Sequence, residues 1–227
     1  MKKIFSFLLA ICFLVPLAVV MTACGENEVV VNVATIEELL TAVDGDNDVI
    51  KLTEDMEATS AIVVKRKVTF DLNGKTLTGD GDYGVIYAQG DAEVTITGDG
   101  KIVAKESADH YAMVIWAKGN SKVKIENGTF TQAITSKDTQ YDMIYITDSA
   151  QLTIEGGKFD CHTPKWTLNI QDKDATTAKF IVKGGEFKSY DPANVTTEPK
   201  DSNVTSFLPE GYKSTYNKTT QYYTVSK

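Results

Sequence analysis

Val68-Thr69-Phe70-Asp71-Leu72-Asn73-Gly74-Lys75-Thr76-Leu77 is the first of five versions of one phrase. The others are Val94-Thr95-Ile96 with Gly100, Val123-Lys124-Ile125 with Gly128, Leu152-Thr153-Ile154 with Gly157, and Phe180-Ile181-Val182 with Gly185. From Gly74 onward the glycines are 26, 28, 29 and 28 residues apart. A fixed period of that size marks a stacked solenoid, whose units cannot bury an apolar face alone. Within the copies, apolar residues alternate with others. Val94 and Ile96, Val123 and Ile125, Leu152 and Ile154, and Phe180 and Val182 therefore point inward, while Thr95, Lys124, Thr153 and Ile181 point out. The pairs Asn73-Gly74, Asp99-Gly100, Asn127-Gly128, Gly156-Gly157 and Gly184-Gly185 tolerate positive φ and mark one recurring sharp corner. Beyond it Leu77, Ile102, Phe130, Phe159 and Phe187 return to the interior as a column.

The period fits three short strands and three turns per coil. It is too short for a typical propeller blade, and the leucine pattern of a leucine-rich repeat is missing. Over roughly residues 49–190 the chain resembles pectate-lyase-like right-handed parallel β-helices, and Val68–Leu77 looks like an opening coil of that superfamily. The tail, from Tyr190-Asp191-Pro192-Ala193-Asn194 through Phe207-Leu208-Pro209-Glu210-Gly211-Tyr212 to Tyr223-Thr224-Val225, resembles the C-terminal cap of bacterial surface β-helix proteins. The resemblance implies an all-β fold: a single-stranded right-handed parallel β-helix of about five coils. Thr35 opens a short helix ahead of it, with Glu38 as its capping-box partner. Ile36, Leu39, Leu40 and Val43 form that helix's apolar face, and Asp44-Gly45 ends it. Such a helix plugs the first coil, and the strands Tyr212–Tyr216 and Gln221–Val225 close the last. Pro164, Pro192, Pro199 and Pro209 fall outside the repeated strands, where a missing amide does no harm.

The N-terminus reads as an export signal. Lys2 and Lys3 precede an apolar run from Ile4 to Val20 and then Met21-Thr22-Ala23-Cys24. The segment resembles a bacterial lipoprotein signal, with Met21 where the lipobox more often has leucine. The resemblance implies that Cys24 is lipidated, becomes the first mature residue and holds the protein in the cell envelope, exposed at the cell surface. Residues 1–23 are then the signal, 24–34 the lipidated cysteine and tether, 35–190 the capping helix and β-helix, and 191–227 the C-terminal cap. Cys12 leaves with the signal, so Cys161 has no disulfide partner. Metal binding by Cys161 and His162 alone does not make a site.

The chain of 227 residues carries a formal charge of −8, which becomes −10 once Lys2 and Lys3 are removed. That acidity argues against nucleic acid as a partner. The single arginine, Arg66, lies in Lys65-Arg66-Lys67, read as a solvated turn rather than a phosphate clamp.

Chemistry is sparser than architecture. Aligning Ile86-Tyr87-Ala88, Ile115-Trp116-Ala117, Ile144-Tyr145-Ile146 and Leu168-Asn169-Ile170 puts the flanking residues in the core. Tyr87, Trp116, Tyr145 and Asn169 then form an outward ladder with coils about 4.8 Å apart. Val85, Val114 and Met143 suit the core equally well, and a slip by one residue would bury the ladder. An outward aromatic strip takes the C–H faces of sugar rings, or it stabilises the sheet by cross-strand packing. The favoured reading is a non-catalytic surface protein contacting a polysaccharide or a surface protein through this ladder, with no cofactor, metal or catalytic residue assigned. The alternatives are a small polysaccharide lyase and a purely structural envelope protein. A lyase needs carboxylates for Ca²⁺ and a basic residue. Asp44, Asp46 and Asp48 resemble half of an EF-hand loop, but Val49 stands where glycine is required. Asp80, Asp82 and Asp99 form a second acidic group. Arg66 is an isolated base, and His110 and His162 lie in loops of different length. Asp148-Ser149-Ala150 resembles a bacterial O-glycosylation acceptor.

Overall fold

A computed structural model describes residues 28–109, 111–137, 141–174, 176–195 and 204–227. The signal, Cys24, His110 and Pro199 lie outside the described residues. The chain opens with β1 (Val30–Val33) and α1 (Ile36–Asp44). The first rung is β2 (Val49–Leu52), β3 (Met56–Ala58) and β4 (Ile62–Val64), and the second is β5 (Lys67–Asp71), β6 (Thr76–Asp80) and β7 (Ile86–Ala88). The third is β8 (Glu93–Thr97), β9 (Lys101–Lys105) and β10 (Ile115–Ala117). The fourth is β11 (Lys122–Ile125), β12 (Thr129–Ala133) and β13 (Ile144–Ile146). The fifth is β14 (Gln151–Ile154), β15 (Lys158–Asp160) and β16 (Leu168–Ile170). A last partial rung has β17 (Lys179–Val182) and β18 (Glu186–Lys188), and β19 (Lys213–Asn217) and β20 (Tyr222–Ser226) complete the chain.

Parallel pairing from rung to rung builds three walls. The first is β1-β2-β5-β8-β11-β14-β17, the second β3-β6-β9-β12-β15-β18 and the third β4-β7-β10-β13-β16. Five strands in the third wall span about four turns of a right-handed β-solenoid. The alternation read from the sequence sets the facing: Val94, Ile96, Val123, Ile125, Leu152, Ile154, Phe180 and Val182 are all buried. Inside the second wall, Phe130 stacks on Phe159 at 4.9 Å and 8°, and Phe159 on Phe187 at 4.7 Å and 7°.

The corner glycines act in two ways. Gly100, Gly128, Gly157 and Gly185 hold φ of +149°, +112°, +97° and +100°, which a side chain would strain. Gly156 and Gly184 are instead required by proximity. A Cβ on either would strike the carbonyl oxygen of Glu126 or Glu155 in the preceding coil.

Thr35 caps α1, its Oγ1 accepting from Glu38 N at 3.2 Å, while Glu38 Oε2 accepts from Ala34 N at 2.7 Å. Leu39, Ala42 and Val43 are the buried residues of the helix. Leu40, expected on that face, is exposed, because a short helix over a narrow coil covers less than the full stripe. Part of the expected tether is also structured: Val30–Val33 is a strand paired in register with Val49–Leu52. Three valines beside an open sheet edge extend the first wall by one strand.

Arg66 departs furthest from its reading as a solvated turn residue. Its Nη2 donates to Ala42 O at 2.7 Å, Nε to Val43 O at 2.8 Å, and Nη1 to Asn47 O at 2.6 Å and Lys67 O at 2.8 Å. The last turn of a helix leaves its carbonyls without intrahelical partners. One planar guanidinium satisfies several of them and fastens the plug to the second rung.

At the other end β20 pairs antiparallel with β18, setting Tyr223 opposite Phe187, and β19 pairs with β20. The edge of β17 is met by Phe207, whose O accepts from Val182 N at 2.9 Å and whose ring lies 4.9 Å from Phe180. Both ends of the solenoid are therefore closed, which removes most of the open edge that would pair with other chains.

Candidate functional site

The third wall carries the ladder. Each of its strands buries two residues and turns the middle one outward. Cross-strand register aligns Val63, Tyr87, Trp116, Tyr145 and Asn169 in one column. The two candidate core registers prove compatible: Val85, Val114 and Met143 are buried, and so are Ile86, Ile115 and Ile144. A corner just before each strand lets two consecutive residues face the core, so no slip is needed to bury both.

Ring geometry changes along the column. Tyr87 stacks on Trp116 with centroids 4.8 Å apart and planes at 22°, whereas Tyr145 lies 5.9 Å from Trp116 and tilted by 51°. A fourth ring, absent from the sequence alignment, joins them. Tyr83 lies 5.8 Å from Trp116 with planes 4° apart, and 6.2 Å from Tyr87. Its ring is delivered by Gly84, where φ is +87° and a Cβ would come within 2.8 Å of Trp116 N. The chain can pass this close beneath β10 only without a side chain. Tyr83 and Tyr87, both from the second rung, thus lie side by side against the indole. Trp116 Nε1 donates to the buried Thr147 Oγ1 at 3.4 Å, and Lys118 Nζ stands 5.9 Å from the indole.

The far end is polar. Asn169 Nδ2 donates to Asp142 Oδ1 at 2.9 Å, and among the described residues Asn169 Oδ1 has no hydrogen-bond partner. Burial pushes the Asp142 carboxyl up to about 6, opposed by the Asn169 bond. Asp142 sits on a loop held by Gln132, whose Nε2 donates to Asp142 O at 3.0 Å and to Ala112 O at 2.9 Å, and whose Oε1 accepts from His162 N. Neither Tyr83 nor Asp142 was visible in the repeat, because both belong to the loops between the second and third walls, where copies differ in length.

The residues a lyase would need are dispersed. Arg66 is committed to helix carbonyls. Asp48 Oδ2 accepts from Val29 N at 2.8 Å, which uses the third EF-hand-like carboxylate to fix β1. Asp82 is neighboured by Asp80 and Asp109; burial first, then the charges of Asp109 and Asp80, hold its carboxyl above the usual range. Asp99 lies apart at a corner, accepting from Asn127 Nδ2 at 2.9 Å. Among the described residues no three His, Cys, Asp or Glu side chains converge to hold a metal. A cleft of about 540 Å³ between 105–108 and 133–136 surrounds Glu106. Its carboxylate accepts from Thr135 N, Thr135 Oγ1, Ser136 N and the Tyr141 hydroxyl.

Comparison with protein-family models, curated proteins and solved structures gave no match. The fold therefore rests on the chain's own pairing and burial.

The remaining sequence candidates separate. Cys161 is a free, buried thiol pushed up to about 12 by burial, and its Sγ faces the carbonyl oxygens of Thr163 and Tyr141. It is a small apolar filler here rather than a nucleophile. His162 meets Tyr141 edge-on at 5.7 Å. Ser149 is exposed in a turn where Asp148 has φ of +59° and its N donates to Asp174 Oδ2. Among the described residues no helix is long and apolar enough to cross a membrane.

Proposed function

We propose that this protein is a non-catalytic binding module of the cell envelope, anchored by lipid on Cys24, whose third wall contacts glycans through Tyr83, Tyr87, Trp116 and Tyr145. The pectate-lyase-like resemblance supplies the scaffold type, while the site differs from a lyase in that its one arginine serves the fold. Tyr83 is the observation that carries the reading. A ladder that only stabilises a sheet needs one ring per coil, and Tyr87, Trp116 and Tyr145 already provide it. Tyr83 adds a second ring in the same coil, lies nearly parallel to the indole and is 54 % exposed. It widens a one-ring stack into a platform broad enough for a sugar ring, at the cost of leaving apolar surface in water.

Face-to-face stacking of Tyr87 on Trp116 favours a second reading, a structural wall, because those faces are occupied by each other. The two readings part at Tyr83. The chain from Gly25 onward, run through gels containing single polysaccharides, should be retarded by at least one of them. Tyr83→Ala should abolish the retardation with the melting temperature nearly unchanged. Equal retardation of the variant, or none for the parent chain on a broad panel, rejects glycan binding and leaves the structural role.

A further inference from the structure

A second column runs beside the rings of the third wall. Two residues beyond Tyr87, Trp116, Tyr145 and Asn169, the chain leaves its strands at Gln89, Lys118, Thr147 and Gln171. Pairing between rungs carries through these positions. Lys118 N donates to Ala88 O at 2.9 Å, Thr147 N to Ala117 O at 3.0 Å and Gln171 N to Ile146 O at 3.1 Å. The turn that follows also repeats, with left-handed φ of +63°, +76° and +59° at Gly90, Gly119 and Asp148. Alternation along a strand puts residues two apart on one face. Two contacts show that this column shares the outer face with the rings: Thr147 Oγ1 accepts from Trp116 Nε1 at 3.4 Å, and Lys118 Nζ lies 5.9 Å from the indole centroid. Thr147 is the buried member, its hydroxyl taken by the indole. Lys118 is exposed, and Gln89 and Gln171 are half-buried. Among the described residues no side chain hydrogen-bonds or ion-pairs with any of these three. Strand lysines of the other walls are held differently, Lys105 by Glu57, Lys122 by Glu93 and Lys188 by Asp160.

Resting on the glycan reading above, we infer that the contact surface is two columns wide. Gln89, Lys118 and Gln171 form a hydrogen-bonding row that donates to the hydroxyl and ring oxygens of a glycan whose apolar face rests on the rings. An ammonium offers three N–H donors, and each glutamine amide offers two beside an oxygen that takes a hydroxyl proton. Rings and row address different parts of one ligand. Stacking sets the plane of a sugar ring but not its rotation within that plane. A few polar groups at fixed positions along the rim set the rotation. Backbone pairing fixes these positions, with rungs about 4.8 Å apart. Gln89 and Gln171 stand three rungs apart, so one extended polymer meets both. The row lies where the strands exit, away from the variable loops that carry Tyr83.

The test is affinity electrophoresis at pH 7.5 of the chain from Gly25 onward, in gels of soluble glucan, mannan and polygalacturonate, each read against a gel without polymer. On the polymer that retards the parent, Gln89→Ala, Lys118→Ala and Gln171→Ala should each weaken binding about three- to tenfold. Their melting temperatures should match the parent, since these side chains hold nothing in the fold. Lys101→Ala, which removes an exposed lysine from the second wall, should bind like the parent. In the double variant Gln89→Ala/Gln171→Ala the two losses should multiply, because positions three rungs apart do not couple. Parent-like binding by two or more of the single variants, or a loss in Lys101→Ala equal to that in Lys118→Ala, overturns the inference. If Tyr83→Ala still abolishes binding in that case, the glycan reading stands and only the row falls. Absence of retardation in all gels overturns both.

Discussion

Two aromatic stacks run along this solenoid, one inside the second wall and one outside the third, and they obey the same register but not the same geometry. Inside, Phe130, Phe159 and Phe187 keep 4.9 and 4.7 Å spacings and stay within 8° of parallel. Outside, Tyr87 and Trp116 hold 4.8 Å at 22°, and the next step to Tyr145 opens to 5.9 Å at 51°. Backbone pairing sets the spacing in both. The difference is confinement. An interior ring is packed on every side and has one arrangement available. An outer ring is positioned only by its neighbours, so Trp116, backed by Tyr83 and Tyr87, lies flat, while Tyr145 turns away. Order on the outer wall is thus local and concentrated where the second-rung loop supplies an extra ring.

The sharpest way to break the comparison is Phe159→Ala. Phe159 is fully buried between two rings, and its removal should cost about 3–5 kcal/mol, since the coils above and below cannot close the gap. Urea denaturation followed by tryptophan fluorescence measures it. A loss below about 1 kcal/mol would mean that the interior column is no more confined than the outer one.

Trp116→Ala is the matching cut outside. It removes a half-buried ring stacked on two tyrosines and a long hydrogen bond to Thr147, which should cost about 1–2 kcal/mol. The same denaturation experiment, read by circular dichroism because one of the two tryptophans is gone, gives the value. A cost equal to that of Phe159→Ala would show that the outer stack is a fastening of the fold and would weigh against its use as a contact surface.

The two stacks also differ in how far they could be read from sequence. The inner column was legible because Leu77, Ile102, Phe130, Phe159 and Phe187 follow glycines at a nearly fixed offset, and a corner glycine leaves the register no freedom. The order Tyr87, Trp116, Tyr145, Asn169 was legible for the same reason. Tyr83 and Asp142 were not, because they lie in loops whose lengths vary from rung to rung, and alignment by period loses them. The role of Arg66 is hidden by its neighbours: Lys65 and Lys67 are exposed, and a guanidinium between two solvated lysines gives no sign that it faces a helix C-terminus. Val30–Val33 carries no repeat signal, because an edge strand pairs on one side only and lies outside the repeat.

The finest distinction concerns the polar end of the outer column, where protonation should matter and the inner column should be indifferent. Burial raises the Asp142 carboxyl from the ordinary 3.8 to about 6. The folded state then binds this proton more tightly than the unfolded chain. Between about pH 4 and 6 its contribution to stability falls as pH rises, and above 6 the loss is complete. Asn at this position is neutral at every pH and keeps an oxygen for Asn169 Nδ2. Asp142→Asn should therefore match the parent near pH 3.5 and exceed it at pH 7.5, by about 3 kcal/mol for a carboxyl raised from 3.8 to about 6. Taking the difference between the two proteins at each pH cancels the other carboxylates, Asp82 included, which titrate equally in both. Urea midpoints at the two pH values measure it. A constant offset would mean that Asp142 is solvated enough to carry its charge freely, and the end of the ladder would then be ordinary surface.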